Sequence, residues 1–372
     1  MASRFWLITA YLLAAPPAVA TPLAPLPSQP DGVPWPTRAW PTGALPNELR
    51  GPPLDELLSL VDRRDPRLGE TRAVLIVHHG RLVVERYAAG FGADTALISW
   101  SVAKSITQAL LGVAVRDGKV DIDRPMGNPR WPAGDPRAAI PWRQWINMVD
   151  GQDYHEIDAT SPTGNDAARM LFGQGRLDVA AFAASLPLVH APGTHWNYNS
   201  AGINLISDAL GRAYAPGAGP VERRTRIKET LDRELFAPLG MTSAQPEFDA
   251  AGTFVGSAFV HATARDFARF GLLYLRDGVW EGRRILPAGW VDFARTRGPA
   301  PNSEHYGAGW WVEAPGSPTP DVFSAQGRAG QLIAVSPARD VVLVRLGLFD
   351  DRVGWPPLGD WAHRVMGLFP RQ

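Results

Sequence analysis

Ile98-Ser99-Trp100-Ser101-Val102-Ala103-Lys104 reads as a short extended entry turning into a helix, and it sets a serine three places ahead of a lysine. Only three lysines occur, Lys104, Lys119 and Lys228, against 34 arginines. Arginine holds its charge almost anywhere, whereas lysine can give up a proton near neutral pH and serve as a base. From Ser101 to Asp117 the apolar residues Val102, Ile106, Leu110, Leu111, Val113 and Val115 recur roughly at helical period, and Asp117-Gly118-Lys119 supplies the stop. Ser101 therefore falls in the first turn, where free N–H groups and the positive end of the helix dipole favour an oxyanion. Lys104, one turn on along the same face, reaches the serine hydroxyl. A nucleophile with an adjacent base is the minimum arrangement for acyl transfer. A capping serine followed by a solvated lysine gives the same four letters, so the surroundings decide.

The composition is that of a globular chain. Its 372 residues are 45% hydrophobic and 20% charged, enough for a large core and two lobes. The formal net charge is zero and no basic stripe occurs, which argues against a nucleic-acid partner. Residues 1–20 read as a signal peptide: Arg4 gives the positive start, Phe5 to Ala15 the apolar stretch, and Ala18-Val19-Ala20 the small-residue cleavage site. The apolar run is short for a membrane span, so the expected mature protein is periplasmic or secreted with no membrane attachment after cleavage; an uncleaved anchor is the alternative. Cysteine is absent, which removes disulfides and a cysteine nucleophile. The eight histidines show no metal-ligand spacing, no phosphate loop occurs, and no G-x-S-x-G elbow is present. No cofactor and no metal are expected.

Residues 21–53 are rich in proline and read as an arm lying over the surface. Ala73 to His78 and Leu82 to Tyr87, joined by His79-Gly80-Arg81, form a hairpin. Between Asp121 and Asp249 strand signals are scarce and helices are expected at Trp142–Met148, Val179–Leu186, Gly202–Ala213 and Val221–Leu239. Strands return at Gly309–Glu313, Val322–Ala325, Leu332–Val335 and Val341–Leu346, and Leu358–Leu368 is the last helix. The expected fold is α/β (α+β): one antiparallel sheet flanked by helices and built from both chain ends, 54–120 and 250–372, with an all-helical lobe, 121–249, inserted between them.

This order resembles the serine β-lactamase and penicillin-binding superfamily, in particular its class C-like branch with the family VIII esterases and 6-aminohexanoate-dimer hydrolases. The likeness is carried by Ser101-Val102-Ala103-Lys104, by Pro192-Gly193-Thr194-His195-Trp196-Asn197-Tyr198-Asn199-Ser200, and by Gly327-Arg328-Ala329-Gly330-Gln331. Phe236-Ala237-Pro238-Leu239-Gly240-Met241 and Ala262-Thr263-Ala264-Arg265-Asp266 also look like the family. The resemblance implies a catalytic centre of Ser101, Lys104 and Tyr198, the tyrosine facing the nucleophile from the helical lobe. A phenol titrates near pH 10, and beside a lysine ammonium its phenolate is favoured, so Lys104 and Tyr198 form a coupled pair in which either can take the serine proton.

Two departures stand out. Where the family has tyrosine-x-asparagine, this chain has Tyr198-Asn199-Ser200, and a hydroxyl replaces the amide that contacts substrate. Where penicillin-recognising members carry lysine-threonine-glycine, the match is Ala325-Gln326-Gly327, with no cation for a β-lactam carboxylate. Gly327 lets the chain pass close to substrate. The Arg328 N–H then joins that of Ser101 as an oxyanion donor; a bulged strand start with Arg328 in solvent is the alternative. Trp100, Ser200, Gln326 and Gly327 are the expected substrate contacts. The acids of Asp150-Gly151-Gln152-Asp153-Tyr154-His155-Glu156 either recognise a substrate amine or form a solvated loop. The whole implies an exported serine hydrolase acting through an acyl-enzyme on small esters or amides. The alternatives are a β-lactamase or D-Ala-D-Ala peptidase, and a binding protein of the same fold without turnover.

Overall fold

The computed structural model describes residues 23–62, 64–156, 165–303, 305–314, 316–349 and 354–372. The segment read as a signal peptide, and the middle of the 150–165 loop, lie outside the described residues.

In Ala73-Val74-Leu75-Ile76-Val77 every side chain is buried, but alternate residues enter different cores. Ala73, Leu75 and Val77 pack into one cluster, Val74 and Ile76 into another. A strand apolar on both faces has to lie between two layers, and this one does. After the short helix α1 (Pro52–Leu58) come the hairpin β1 (Glu70–His78) and β2 (Arg81–Tyr87), the short strand β3 (Ala96–Ile98) and helix α2 (Val102–Arg116). The middle is helical: α3 (Trp142–Ile146), α4 (Asp166–Leu171), α5 (Val179–Ser185), α6 (Ser200–Tyr214), α7 (Pro220–Leu231) and the one-turn α8 (Ala237–Leu239). Strands β4 (Gln245–Pro246) and β5 (Val260–Thr263) then lead to α9 (Ala264–Leu275), the small hairpin β6 (Val279–Trp280) and β7 (Arg283–Arg284), and α10 (Trp290–Arg295). The chain closes with β8 (Trp311–Val312), β9 (Phe323–Gly327), β10 (Gln331–Ser336), β11 (Val341–Leu348) and α11 (Pro356–Gly367).

The main sheet is antiparallel in the order β2-β1-β11-β10-β9-β8, so β1 from the front of the chain is zipped to β11 from its end. Helices α2 and α9 cover one face, α1 and α11 the other. The site is placed by two smaller features. Strand β3 pairs with β5, which brings residues 257–260 alongside the entry to α2. Strand β9 ends against that same entry.

The strand expected at Gly309–Glu313 shrinks to Trp311–Val312, because Gly309 is left-handed (φ 73°) and turns the chain out of the sheet. The helix expected over Val221–Leu239 runs through without a break, its turn widened at Asp232–Phe236 next to Pro238, which has no N–H for the α-helical ladder. Helix α9 has no counterpart in the sequence reading.

Candidate active site

Ser101 sits at the mouth of α2, with Ser99, Trp100 and Ser101 carbonyls accepting the N–H groups of Val102, Ala103 and Lys104. This tight turn forces Trp100 to φ 44°, a left-handed conformation costing a bulky residue on the order of 1–2 kcal/mol. The neighbours over-determine it. The Ser99 N–H donates to the Val260 carbonyl at 2.8 Å, while the buried Ser99 hydroxyl donates to the Ala258 carbonyl at 3.1 Å and accepts from the Val260 N–H at 3.0 Å.

Lys104 Nζ lies 2.8 Å from Ser101 Oγ and 2.8 Å from the Ser257 carbonyl oxygen. The lysine is 1% exposed and has no ion-pair partner among the described residues. Burial pushes its pKa down to about 8, against the nearby Glu156 carboxylate, which favours the ammonium. Its Nζ also lies 4.8 Å from the centre of the Tyr198 ring. Tyr198 stands just ahead of α6 and is locked in an aromatic group, stacked on Trp311 at 5.3 Å and edge-on to Tyr306 at 5.7 Å. Burial, and then Glu156, push its phenol well above the usual range, while a hydrogen bond with Ser101 pulls it back. The phenolate expected beside an ammonium is thus not the favoured state. The pair rests as neutral phenol and easily deprotonated lysine, because burial acts on both groups and the carboxylate acts against a second negative charge.

Gly327, at the end of β9, lies on the backbone around Ser101. A Cβ there would overlap the Ser99 carbonyl oxygen and stand 3.1 Å from Ser101 N. The close approach that requires glycine is therefore to the α2 entry itself, and it carries the Gly327–Arg328 peptide beside the Ser101 N–H. The exposed Arg328 guanidinium lies 5.7 Å from the Trp100 ring. That ring packs with Phe172 (6.3 Å) and Phe259 (5.9 Å), and Phe172 is 55% exposed: an aromatic wall beside Ser101.

The Beta-lactamase family model matches residues 69–347. The chain belongs to the Beta-lactamase family. Over 339 residues it is 28% identical to the 6-aminohexanoate-dimer hydrolase of Paenarthrobacter ureafaciens, covering 85% of this chain and 81% of that one. Among solved structures it is similar to a Bacillus anthracis protein provisionally named a 6-aminohexanoate-dimer hydrolase (TM-score 0.69, 21% identity, 93% of this chain and 91% of that one). It is also similar to a family VIII carboxylesterase (TM-score 0.62, 13% identity, 88% and 98%). This is a family of β-lactamase-fold serine hydrolases, and amidase and esterase names stand among the relatives of the chain.

Of the residues expected to form a Beta-lactamase-family site, Ser101, Lys104, Tyr198, Trp100, Gly327 and Arg328 come together. Two expected substrate contacts do not. Gln326 alternates to the far side of the sheet, where its amide donates to Ser324 Oγ at 2.9 Å and its side chain faces Leu332, Leu358 and His363. The strand period of two gives its neighbours Ala325 and Gly327 the site face instead. Ser200 is buried, and its hydroxyl donates to Glu156 Oε1 at 2.8 Å. What stands near the centre is therefore the Glu156 carboxylate, which also accepts from the Ser200 N–H at 3.3 Å. Within the acid-rich loop nothing in the residue order separates Glu156 from Asp153, and only the loop's path brings one of them in.

Proposed function

We propose that this protein is an exported serine hydrolase that acts through an acyl-serine intermediate on small esters or amides. The observation that carries the proposal is the buried Lys104 amine in contact with Ser101 Oγ, without an ion-pair partner among the described residues and with its proton affinity lowered to near neutrality. In acylation Lys104 takes the Ser101 proton as Oγ bonds to the substrate carbonyl carbon. The resulting oxyanion is met by the N–H groups of Ser101 and Arg328, and the α2 dipole adds to their effect. As the C–O or C–N bond breaks, the Tyr198 phenol gives its proton to the leaving group and regains one from the Lys104 ammonium. Water then repeats the sequence on the acyl-enzyme and releases the acid.

Simple esters and amides are favoured over β-lactams because the β9 positions facing the site are Ala325 and Gly327, neither of which can pair with a substrate carboxylate. Export rests on residues 1–20 and is tested by fractionating cells that express the full chain. Covalent labelling by a fluorophosphonate tests the chemistry. Wild type should label and hydrolyse p-nitrophenyl acetate, and Ser101→Ala should do neither. Labelling that survives in Ser101→Ala ends the nucleophile assignment, and wild type that never labels is instead a binding protein on the same fold.

A further inference from the structure

One carboxyl group behind the site takes no part in these steps. Asp150 is 1% exposed and forms no ion pair among the described residues. An unpaired buried carboxylate is costly, and groups of this kind gather at functional sites. Its Oδ1 accepts from the Gln152 N–H and from Asn199 Nδ2, each at 3.0 Å. The other end of the Asn199 amide, Oδ1, accepts from the Gly202 N–H at 2.9 Å and so caps α6. These bonds allow one orientation only: a flipped amide would set NH₂ against N–H and oxygen against carboxylate. Asn199 is the residue next to Tyr198. The preceding stretch is laid on the same template, with Gly193 N–H donating to Val149 O (2.7 Å), Asn197 N–H to Met148 O (3.1 Å) and Asn197 Nδ2 to Tyr154 O (2.7 Å). Asp150 Oδ2 packs on the first turn of α6, 3.3 Å from where a Cβ at Gly202 would stand, and the positive end of that helix makes the charge tolerable.

We propose that Asp150 is a positioning residue for Tyr198: its carboxylate fixes the Asn199 amide, and through it the start of α6, so that the phenol stays against Ser101. The proposal rests on the Ser101/Lys104/Tyr198 reading above. Stability does not account for the acid. Burial raises its pKa to about 6, so the fold favours the protonated form, and stability present below the ordinary carboxyl range is lost as pH rises through about 6. The protein thus carries a destabilising charge at neutral pH, and a charged acceptor holds an amide roughly twice as strongly as a neutral one. The titratable groups on the same loop and on the start of α6 include Glu156 on Ser200, Tyr154, Tyr198 with Lys104 beyond, and Asp166, whose carboxylate accepts from the His155 N–H; no charged side chain contributes to the shift of Asp150.

Asp150→Asn keeps the shape and the acceptor oxygen but removes the charge. At pH 8, kcat for p-nitrophenyl acetate, counted per fluorophosphonate-labelled site, should fall about 5- to 10-fold with KM within about twofold, the scale of a slightly misplaced catalytic group. The wild-type carboxyl is about nine-tenths neutral by pH 5, so the gap should shrink as pH falls through 6 and close to within about twofold at pH 5. Asn199→Ala should lower per-site kcat at pH 8 at least as much, and adding Asp150→Asn to it should change nothing further. Per-site kcat within twofold of wild type at pH 8 in either single variant overturns the proposal. So does a deficit of Asp150→Asn that is the same at pH 5.5 as at pH 8. Absence of Ser101 labelling in wild type is a different failure, that of the hydrolase reading.

Discussion

At the scale of single residues, Lys104 is defined by what burial does to it. Arginine at this position would keep the charge and most of the length but could not give up a proton. Lys104→Arg should therefore be as damaging to kcat as Lys104→Ala, measured on p-nitrophenyl acetate; near-wild-type kcat in the arginine variant would reduce the lysine to an electrostatic fixture. Tyr198→Phe keeps the ring that packs on Trp311 and removes only the proton, so kcat should fall about 10²-fold while KM changes little. In the proposed mechanism the free lysine is the active form, and its pKa lies at about 8, so kcat/KM should rise with pH through that value. The linkage has a second face. A lysine whose pKa is lowered in the fold binds its proton less well there than in the unfolded chain, so the protein is less stable at pH 7 than at pH 9 on this account. Lys104→Met should raise Tm at pH 7 while abolishing turnover, and an unchanged or lower Tm would show that the ammonium is better compensated than its contacts indicate.

At the scale of elements, the end of β9 and the start of α2 form a single construction. Gly327 lies so near the Ser99 carbonyl that any side chain has to push the strand away from Ser101 N–H. Beyond it the turn Arg328–Gly330 is tied down by Arg345, a fully buried residue of β11 whose guanidinium donates to the Ala329 and Gly330 carbonyls at 3.2 and 2.9 Å. Gly327→Ala should therefore leave a folded protein whose kcat on simple esters is reduced by about 10²-fold, the usual scale for a lost oxyanion donor. Full activity would mean that the Arg328 N–H does not serve the oxyanion. How far such constructions can be read from sequence depends on how local their signals are. The Ser101–Lys104 contact is legible because it spans one turn of one helix, and the central strands are legible because β-branched runs are hard to place elsewhere. Helix α9 was also within reach: Thr263-Ala264-Arg265-Asp266 is a capping pattern, and Thr263 Oγ1 does accept from the Asp266 N–H at 3.2 Å. The side on which Gln326 falls was not, because one residue of strand register inverts it. Nor was the meeting of Glu156 with Ser200, which stand 44 positions apart in the chain.

At the scale of the whole molecule, a sheet closed by strands from both chain ends holds Ser101 on its inner helix, and the helical middle brings Tyr198 and Glu156 to it. The wall of Trp100, Phe172 and Phe259 is apolar, and the β9 positions facing the site are uncharged. Short-chain p-nitrophenyl esters should accordingly show kcat/KM at least about 10²-fold above nitrocefin, the range expected when a charge anchor is missing. Comparable nitrocefin hydrolysis would mean that Arg328 turns inward to serve the carboxylate. The arginine-rich composition has a practical corollary. Lys119 and Lys228 are exposed while Lys104 is sealed in the core, so bulky amine-reactive reagents should couple at those two side chains and leave turnover intact. A reagent small enough to follow the substrate, such as cyanate, meets in Lys104 an amine already half unprotonated near pH 8. Reagent size alone should then separate a tethered, working protein from an inactivated one, which makes the chain suited to immobilisation at defined points.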